Sequence, residues 1–173
     1  MDFKPLTKSE LQKIMAIARS CGKHLESQGI YQWHEHYPAE SDFQNDLDLN
    51  RLWGCWEKDQ LLGFVVYTQQ MSPAYKEVPW ECEQSPNAYV HRLAVDPAFQ
   101  RRGIASAMMS FCEDKAMENG CKSIRLDAYS RNPINLNFYE QRNYSRCGEV
   151  FYLHKHPHPF ICFEKTFEKG LLP

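Results

Sequence analysis

The chain has 173 residues, of which 43% are hydrophobic, and 20 basic and 22 acidic side chains give it a formal net charge of -2. This length predicts a single domain, residues 1–173, that folds around its own core without disulfides or a metal. The balanced charge supplies no global basic field, so nucleic acid is not an expected partner. No apolar run approaches the roughly eighteen residues of a membrane span, and residues 1–5 lack an apolar signal core. We therefore expect a cytoplasmic protein without membrane contact.

The seven cysteines are scattered along the chain and mostly embedded in apolar runs, and no two of them form a C-x-x-C pair. That distribution is typical of reduced thiols in a core rather than of a disulfide framework. The residues are Cys21, Cys55, Cys82, Cys112, Cys121, Cys147 and Cys162.

Two helices and a hairpin are predicted for the first half of the chain. Thr7 and Glu10 have the spacing of a capping box, and apolar residues then recur at helical spacing up to Gly29, which predicts a first helix of about five turns. Ser41 is the predicted N-cap of a short second helix that runs to Asn50. The hairpin strands are Leu52–Glu57 and Leu61–Tyr67.

Strands and helices alternate in the second half, which indicates a mixed α/β sheet layered with helices. An irregular connection with three prolines, residues 69–87, precedes them, and connections of this length are usually functional. The predicted strands are Tyr89–Val95, Ser123–Ala128, Val150–His154 and Pro159–Phe167, and the predicted helices are Ser106–Asn119, closed by Gly120, and a segment that starts at Asn132.

The loop Gln100-Arg101-Arg102-Gly103-Ile104-Ala105 lies between a predicted strand, which Asp96-Pro97 ends, and the helix that follows. The first turn of a helix has N–H groups without intrahelical partners, and its dipole attracts anions. Gly103 lets the backbone approach a ligand closely, and the two arginines add positive charge. This loop predicts a phosphate cradle and therefore a cofactor that contains a pyrophosphate.

A second block, residues 132–144, strengthens that interpretation. Together the two blocks resemble the signatures of the GNAT superfamily of N-acetyltransferases: Q/R-x-x-G-x-G/A, with Ala105 as the last residue, and the N-x-x-(small)-x-x-(apolar)-Y-E-x-x-G-F helix. Asn135 takes the small position here, and Asn143-Tyr144 replaces Gly-Phe. Asparagine tolerates the left-handed conformation that glycine supplies after a helix, so the cap can be kept. The resemblance covers Tyr89 to Tyr144.

The resemblance implies the GNAT fold, a mixed and mostly antiparallel sheet of about six or seven strands flanked by about four helices. It implies an acyltransferase that moves the acetyl group of acetyl-CoA to a primary amine of a small molecule or peptide. Asn132 would contact coenzyme A, and Tyr139 would line the same site as the general acid. The remaining residues implied to bind the cofactor are Leu93, Ala94 and Val95, through their main chain, and Gln100, Arg101, Arg102, Gly103, Ile104, Ala105 and Ser106.

The chemistry itself requires two proton transfers. A primary amine has a pKa near 10.4 and must lose a proton before it attacks, and the departing thiolate can accept one. Tyr139, with a reference pKa near 10, can donate that proton. Asn132 and Tyr139 are seven residues apart, which places them on one face of a helix. A half-buried aromatic residue that caps the core is the alternative role for Tyr139.

Two residues are candidates for the general base. Asp127 ends the predicted fifth strand, at a position where some GNAT members place an acidic base that acts directly or through water, and the alternative is an ordinary strand-end aspartate. His91 has a reference pKa that suits proton removal at neutral pH. Alternation places it on one strand face with Tyr89 and Leu93, so a core histidine is the alternative.

The acceptor site is expected around Trp33, His34 and Glu35, where the family often builds it, and a packed loop under the first helix is the alternative. No metal is expected. His154, His156 and His158 alternate, but Pro157 interrupts any ladder, so a solvated turn is the better interpretation. Four late aromatic residues suggest a homodimer surface unless they pack inward; they are Phe151, Tyr152, Phe160 and Phe163.

Two other functions fit the same cofactor site. One is a non-catalytic acyl-CoA-binding sensor or interaction module, because a fold and a cofactor site do not guarantee chemistry. The other is an acyltransferase that uses another acyl donor or a hydroxyl acceptor.

Overall fold

The computed structural model of the protein describes residues 1–152 and 156–167. Its strands, in chain order, are β1 Asp2–Pro5, β2 Leu52–Glu57, β3 Gln60–Thr68, β4 Ala88–Val95, β5 Ser123–Tyr129, β6 Ser145–Val150 and β7 Phe160–Thr166. Its α-helices are α1 Leu11–Ser27, α2 Glu40–Asp48, α3 Ile104–Glu118 and α4 Pro133–Gln141. The strands form one seven-stranded sheet in the order β1-β2-β3-β4-β5-β7-β6. The predicted mixed sheet with about four helices is confirmed.

The pairing is antiparallel for β1 with β2, β2 with β3, β5 with β7 and β6 with β7. It is parallel for β4 with β5, at Ala88 with Ile124 and at Tyr89 with Arg125. A parallel pair needs a long crossover, and α3 supplies it between these two strands. Strand β1 was not predicted, because four residues next to a proline carry no periodic signal.

The N-terminal predictions are largely confirmed. The Thr7 backbone N–H donates to Glu10 Oε2 at 2.8 Å in the predicted capping box, before α1. The second helix begins at Glu40, so Ser41 as its N-cap was wrong. The Ala39 backbone N–H donates to the Asp42 carboxylate at 2.8 Å, and that bond fixes the N-cap at Ala39, earlier in the chain than predicted.

The predicted hairpin is present, with a turn at Lys58, which adopts a left-handed φ of 54°. The strand predicted at Val150–His154 was wrong: β6 covers Ser145–Val150, and His154 lies outside the described residues. The reason lies at the end of α4, where Asn143 has a φ of 64° and the Tyr144 N–H donates to the Tyr139 carbonyl at 3.1 Å. This close turn sends the chain directly into a strand.

The chain divides into two compact units, which are described separately. The first contains residues 1–67 and 91–112, and the second contains the described part of residues 68–90 and 113–173. In the first unit, α1 and α2 bury their apolar faces with the β2–β3 hairpin. Fully buried side chains in this core include Ile14, Phe43, Leu52 and Phe64, and each contributes about 1.5–3 kcal/mol through burial.

In the second unit, the β5–β7 ladder has two faces, since residues paired directly across it point to the same side. Leu126 pairs with Phe163, and Phe163 contacts the α4 residue Tyr139, so we call this side the helix face. Asp127 pairs with Cys162 and Arg125 with Glu164 on the other side. Glu164 accepts hydrogen bonds from backbone N–H groups of the 69–87 segment, so we call this side the loop face.

All seven cysteines are free thiols, and all but Cys82 are buried, which confirms the interpretation as core thiols. In the part of the chain that the structure describes, no helix is both long and apolar enough to cross a bilayer.

Candidate functional site

The loop that precedes α3 has two residues in the left-handed region. Arg101 has a φ of 63° and Gly103 a φ of 76°, and both are exposed. The helix begins at Ile104, two residues before the predicted start, and the Gly103 carbonyl accepts from the Ala107 N–H at 3.0 Å. A Cβ built on Gly103 would meet no atom within 4 Å. The residues therefore fit a phosphate group, because the space beside Gly103 is open and a phosphate can reach the backbone N–H groups in the first turn of α3.

Polar contacts hold this loop at both sides. The Gln100 amide donates to the Val95 carbonyl at 3.2 Å, which fixes the start of the loop to the end of β4. Arg102 lies 3.2 Å from the Glu57 carboxylate, and both side chains are about half exposed. Such an exposed pair contributes little stability, so Arg102 can exchange Glu57 for a phosphate at small cost.

Strand β4 contains an irregularity at Arg92, whose φ of 49° is unusual for a residue other than glycine. Its guanidinium lies 2.9 Å from Asp46 Oδ2, and Arg51 donates to Asp46 Oδ1 at 2.6 Å. The Asp46 side chain is fully buried. The ion pair holds the unusual backbone immediately before Leu93, the first of the three main-chain positions predicted to bind the cofactor.

His91 is a weak base in this environment. Desolvation, followed by the positive charges of Arg92 and Arg51, lowers the pKa of His91 to about 3. The imidazole is therefore neutral at physiological pH and accepts a proton poorly. These properties favour the core-histidine alternative over the role of general base.

Helix α4 begins at Asn132, whose side-chain oxygen accepts from the Asn135 backbone N–H at 3.1 Å. Asn132 is therefore the N-cap of this helix and is almost fully buried. Tyr139 is buried too, with its ring 5.8 Å from that of Tyr144 and 5.7 Å from that of Phe163. The structure therefore places Asn132 at the start of α4 and Tyr139 within α4, on the helix face of the second unit.

Asp127 lies within β5, which extends to Tyr129 instead of ending at residue 128 as predicted. Its Oδ2 accepts a hydrogen bond from the Tyr152 hydroxyl at 2.7 Å. A second phenol, that of the fully buried Tyr75, also interacts with this carboxylate. Asp127 and Tyr139 therefore lie on opposite faces of the same ladder, since Asp127 is on the loop face.

The predicted acceptor residues do not share one environment. Trp33 is buried in the core of the first unit, 6.5 Å from the ring of Phe64, which favours the packed-loop alternative for it. His34 and Glu35 are exposed. A tight turn forms here, because the His34 N–H donates to the Tyr37 carbonyl at 2.8 Å and the Tyr37 N–H donates back at 3.0 Å.

The late aromatic residues mostly pack inward. Phe160 and Phe163 are buried, and Tyr152 contacts Phe160 edge-on at 5.2 Å, so Phe151 is the exposed member of the set. Of the alternating histidines, His156 packs 5.0 Å from the ring of Phe160. Within residues 1–152 and 156–167, no group of three or more metal-binding side chains could hold an ion.

A mixed seven-stranded sheet, with a glycine-containing loop that opens a helix after its fourth strand, is the fold that this chain shares with a GNAT-family acetyltransferase of known structure. The chain belongs to the Acetyltransferase (GNAT) family, whose model matches residues 12–144. A search of curated proteins finds no match.

Solved structures agree on the fold. A GNAT-family acetyltransferase from Streptococcus agalactiae is 19% identical, with a TM-score of 0.80 over 97% of this chain and 96% of that chain. One from Listeria monocytogenes is 18% identical, with a TM-score of 0.77 over 96% and 94%. The PaiA N-acetyltransferase of Thermoplasma acidophilum, solved in complex with coenzyme A, is 15% identical, with a TM-score of 0.69 over 96% and 98%.

Proposed function

We propose that this protein is an N-acetyltransferase that transfers the acetyl group of acetyl-CoA to a primary amine of a small molecule or peptide. The observation that carries the proposal is the exposed loop at Arg101–Gly103, whose two left-handed residues lead into the first turn of α3. Membership of the GNAT family supports it. The coenzyme A complex of the Thermoplasma acidophilum protein is a further support.

In this proposal the loop and the first turn of α3 hold the pyrophosphate. Gly103 keeps the approach open, and Arg101 and Arg102 supply charge-assisted hydrogen bonds. The main chain of Leu93–Val95 orients and polarises the thioester carbonyl, because preorganised N–H groups stabilise the negative charge that develops on oxygen. The Asp46–Arg92 ion pair keeps that main chain in place.

Tyr139 is the proposed general acid. Its phenol, buried among aromatic rings, donates a proton to the departing thiolate and recovers it later. Asn132 contributes through coenzyme A contact and through the cap that sets the start of α4.

Asp127 is the proposed general base, and it accepts the proton of the ammonium directly or through one water. Asp127 and Tyr139 lie on opposite faces of the β5–β7 ladder. The amine nitrogen and the thiolate sulfur are bonded to the same carbon when the amine attacks, so the route through water is the one proposed for Asp127.

Calorimetry with acetyl-CoA, followed by thiol release across a panel of polyamines, aminoglycosides, amino acids and peptides, tests the proposal. We expect saturable binding and amine-dependent thiol release. Absence of coenzyme A binding at millimolar concentration would overturn the proposal. Binding with only slow thioester hydrolysis would indicate a sensor, and mass spectrometry of products from mixed acyl-CoA donors would reveal a different acyl group or a hydroxyl acceptor.

A further inference from the structure

We propose that Tyr152 is a positioning residue for Asp127: its phenol donates to the carboxylate and orients it on the loop face, where the buried Tyr75 is a second neighbour. This inference rests on the proposed function, because it takes Asp127 as the base. Neither tyrosine belongs to the family-like motifs of the sequence, and each comes from a different part of the chain.

The carboxylate has two phenols near it, and one of them donates a hydrogen bond to it. Tyr152, which follows β6, donates its hydroxyl to Oδ2 at 2.7 Å, within the usual range for a hydrogen bond to a charged acceptor. Tyr75 belongs to a short 3-10 helix, Pro73–Tyr75, in the 69–87 segment. The Asp127 carboxylate of β5 therefore lies next to two other parts of the chain. One is the 69–87 segment, which was predicted to be functional, and the other is the stretch that follows β6.

Both tyrosines are themselves held in place. The ring of Tyr75 lies 5.3 Å from that of Trp80, and the Trp80 indole N–H donates to the Tyr75 carbonyl at 3.1 Å. The ring of Tyr152 packs edge-on against Phe160 at 5.2 Å. Donors fixed by packing lose little freedom when they bind the carboxylate, so they can orient it within a narrow range.

Two of the described groups near Asp127 are neutral. Burial raises the pKa of Cys162, its partner across the ladder, to about 12, so this thiol stays neutral. Burial also raises the pKa of Tyr75 well above its ordinary value, which keeps this phenol neutral. Farther along the loop face, the Arg125–Glu164 ion pair at 2.7 Å carries two opposite charges.

The expected effect of Tyr152→Phe is a shift in the pH profile. Removing a donor from the ionised carboxylate makes proton binding easier, so the acidic limb of kcat/KM moves to higher pH. A hydrogen bond to a charged group is worth about one to two pH units when converted at 1.36 kcal/mol per unit. The matched control is Tyr129→Phe, which changes a neighbouring phenol of β5 and should leave the acidic limb in place.

A second measurement needs no substrate. Carbon-13 NMR of the Asp127 side-chain carboxyl, followed through a pH titration, should give a midpoint that rises by about one pH unit in Tyr152→Phe. An unchanged midpoint, or an unchanged acidic limb in a variant that still folds, overturns the inference. Full activity of Asp127→Asn would also overturn it, while acetyl-CoA binding and thiol release by the unmodified protein would leave the proposed function intact.

Discussion

Replacement of Gly103 by alanine is the sharpest test of the phosphate loop. Gly103 adopts a φ of 76°, and the position of an added Cβ is open. A residue with a Cβ pays roughly 1–2 kcal/mol for a left-handed backbone, so the substitution destabilises the protein even without a clash. For a chain of this size, each kcal/mol lowers Tm by about 2–4 °C. We therefore expect Gly103→Ala to lower the Tm of the ligand-free protein by about 2–8 °C.

Acetyl-CoA affinity should fall as well. The added methyl projects into the open approach of the loop, and relief of the backbone strain would turn an N–H away from the phosphate. Loss of one hydrogen bond to a charged group costs about 1.5–3 kcal/mol, which corresponds to a Kd on the order of 10 to 100 times higher.

Gly29→Ala is the matched control. Gly29 has a φ of 75°, and an added Cβ there also meets nothing within 4 Å, but it lies after α1 and outside the loop. Both variants should lose similar thermal stability in melting experiments, whereas calorimetry should find weaker acetyl-CoA binding in Gly103→Ala alone. Equal affinities in the two variants would refute the phosphate-binding role of the loop.

Three further predictions concern the acid, the buried ion pair and the half-buried imidazole of His91. Tyr139→Phe should lower kcat by about 100-fold or more, because it removes the proton donor. Calorimetry should find a Kd for acetyl-CoA within about threefold of that of the unmodified protein, because the ring contacts remain. Full turnover would exclude Tyr139 as the acid. Asp46→Asn should lower the free energy of unfolding in urea by about 3–5 kcal/mol, because it removes the counterion of Arg51 and Arg92. The control Asp48→Asn breaks an exposed ion pair with Lys8 and should lower it by less than about 1 kcal/mol. His91 has a pKa of about 3 in the folded protein and about 6.5 in the unfolded chain. Below pH 6.5 the unfolded chain therefore binds a proton that the folded protein does not, and the free energy of unfolding falls by about 1.4 kcal/mol per pH unit. Urea unfolding between pH 7 and pH 4 should therefore have a shallower pH dependence in His91→Gln, and an unchanged slope would contradict the lowered pKa of this imidazole.

The elements that the sequence predicted well are those with local signals. The capping box at Thr7, the left-handed residue at Asn143 and the loop at Gly103 each depend on neighbours within a few positions. Chain geometry over such short spans leaves few alternatives, so residue type and spacing suffice. Ser41 has a residue type that often caps helices, so it was the predicted N-cap. The Asp42 carboxylate instead accepts the backbone N–H of an earlier residue, and this hydrogen bond sets where the helix begins.

The environments of the proposed chemical groups could not be predicted from the sequence. Asp127 receives its hydrogen bond from Tyr152, which is 25 residues away, and Arg92 is paired with Asp46 across 46 residues. No periodicity links residues at such distances. The burial of Trp33 in the core also depends on contacts with distant residues, so the sequence could not predict it.

The sequence by itself therefore determined the order of most elements and the loop and helix that resemble the acetyltransferase family, because caps, turns and hydrophobic periodicity act locally. The tertiary structure decided that Asp127 and Tyr139 occupy opposite faces of one ladder and that His91 is held neutral. Strand register and burial set these properties, and both arise only when distant segments pack together.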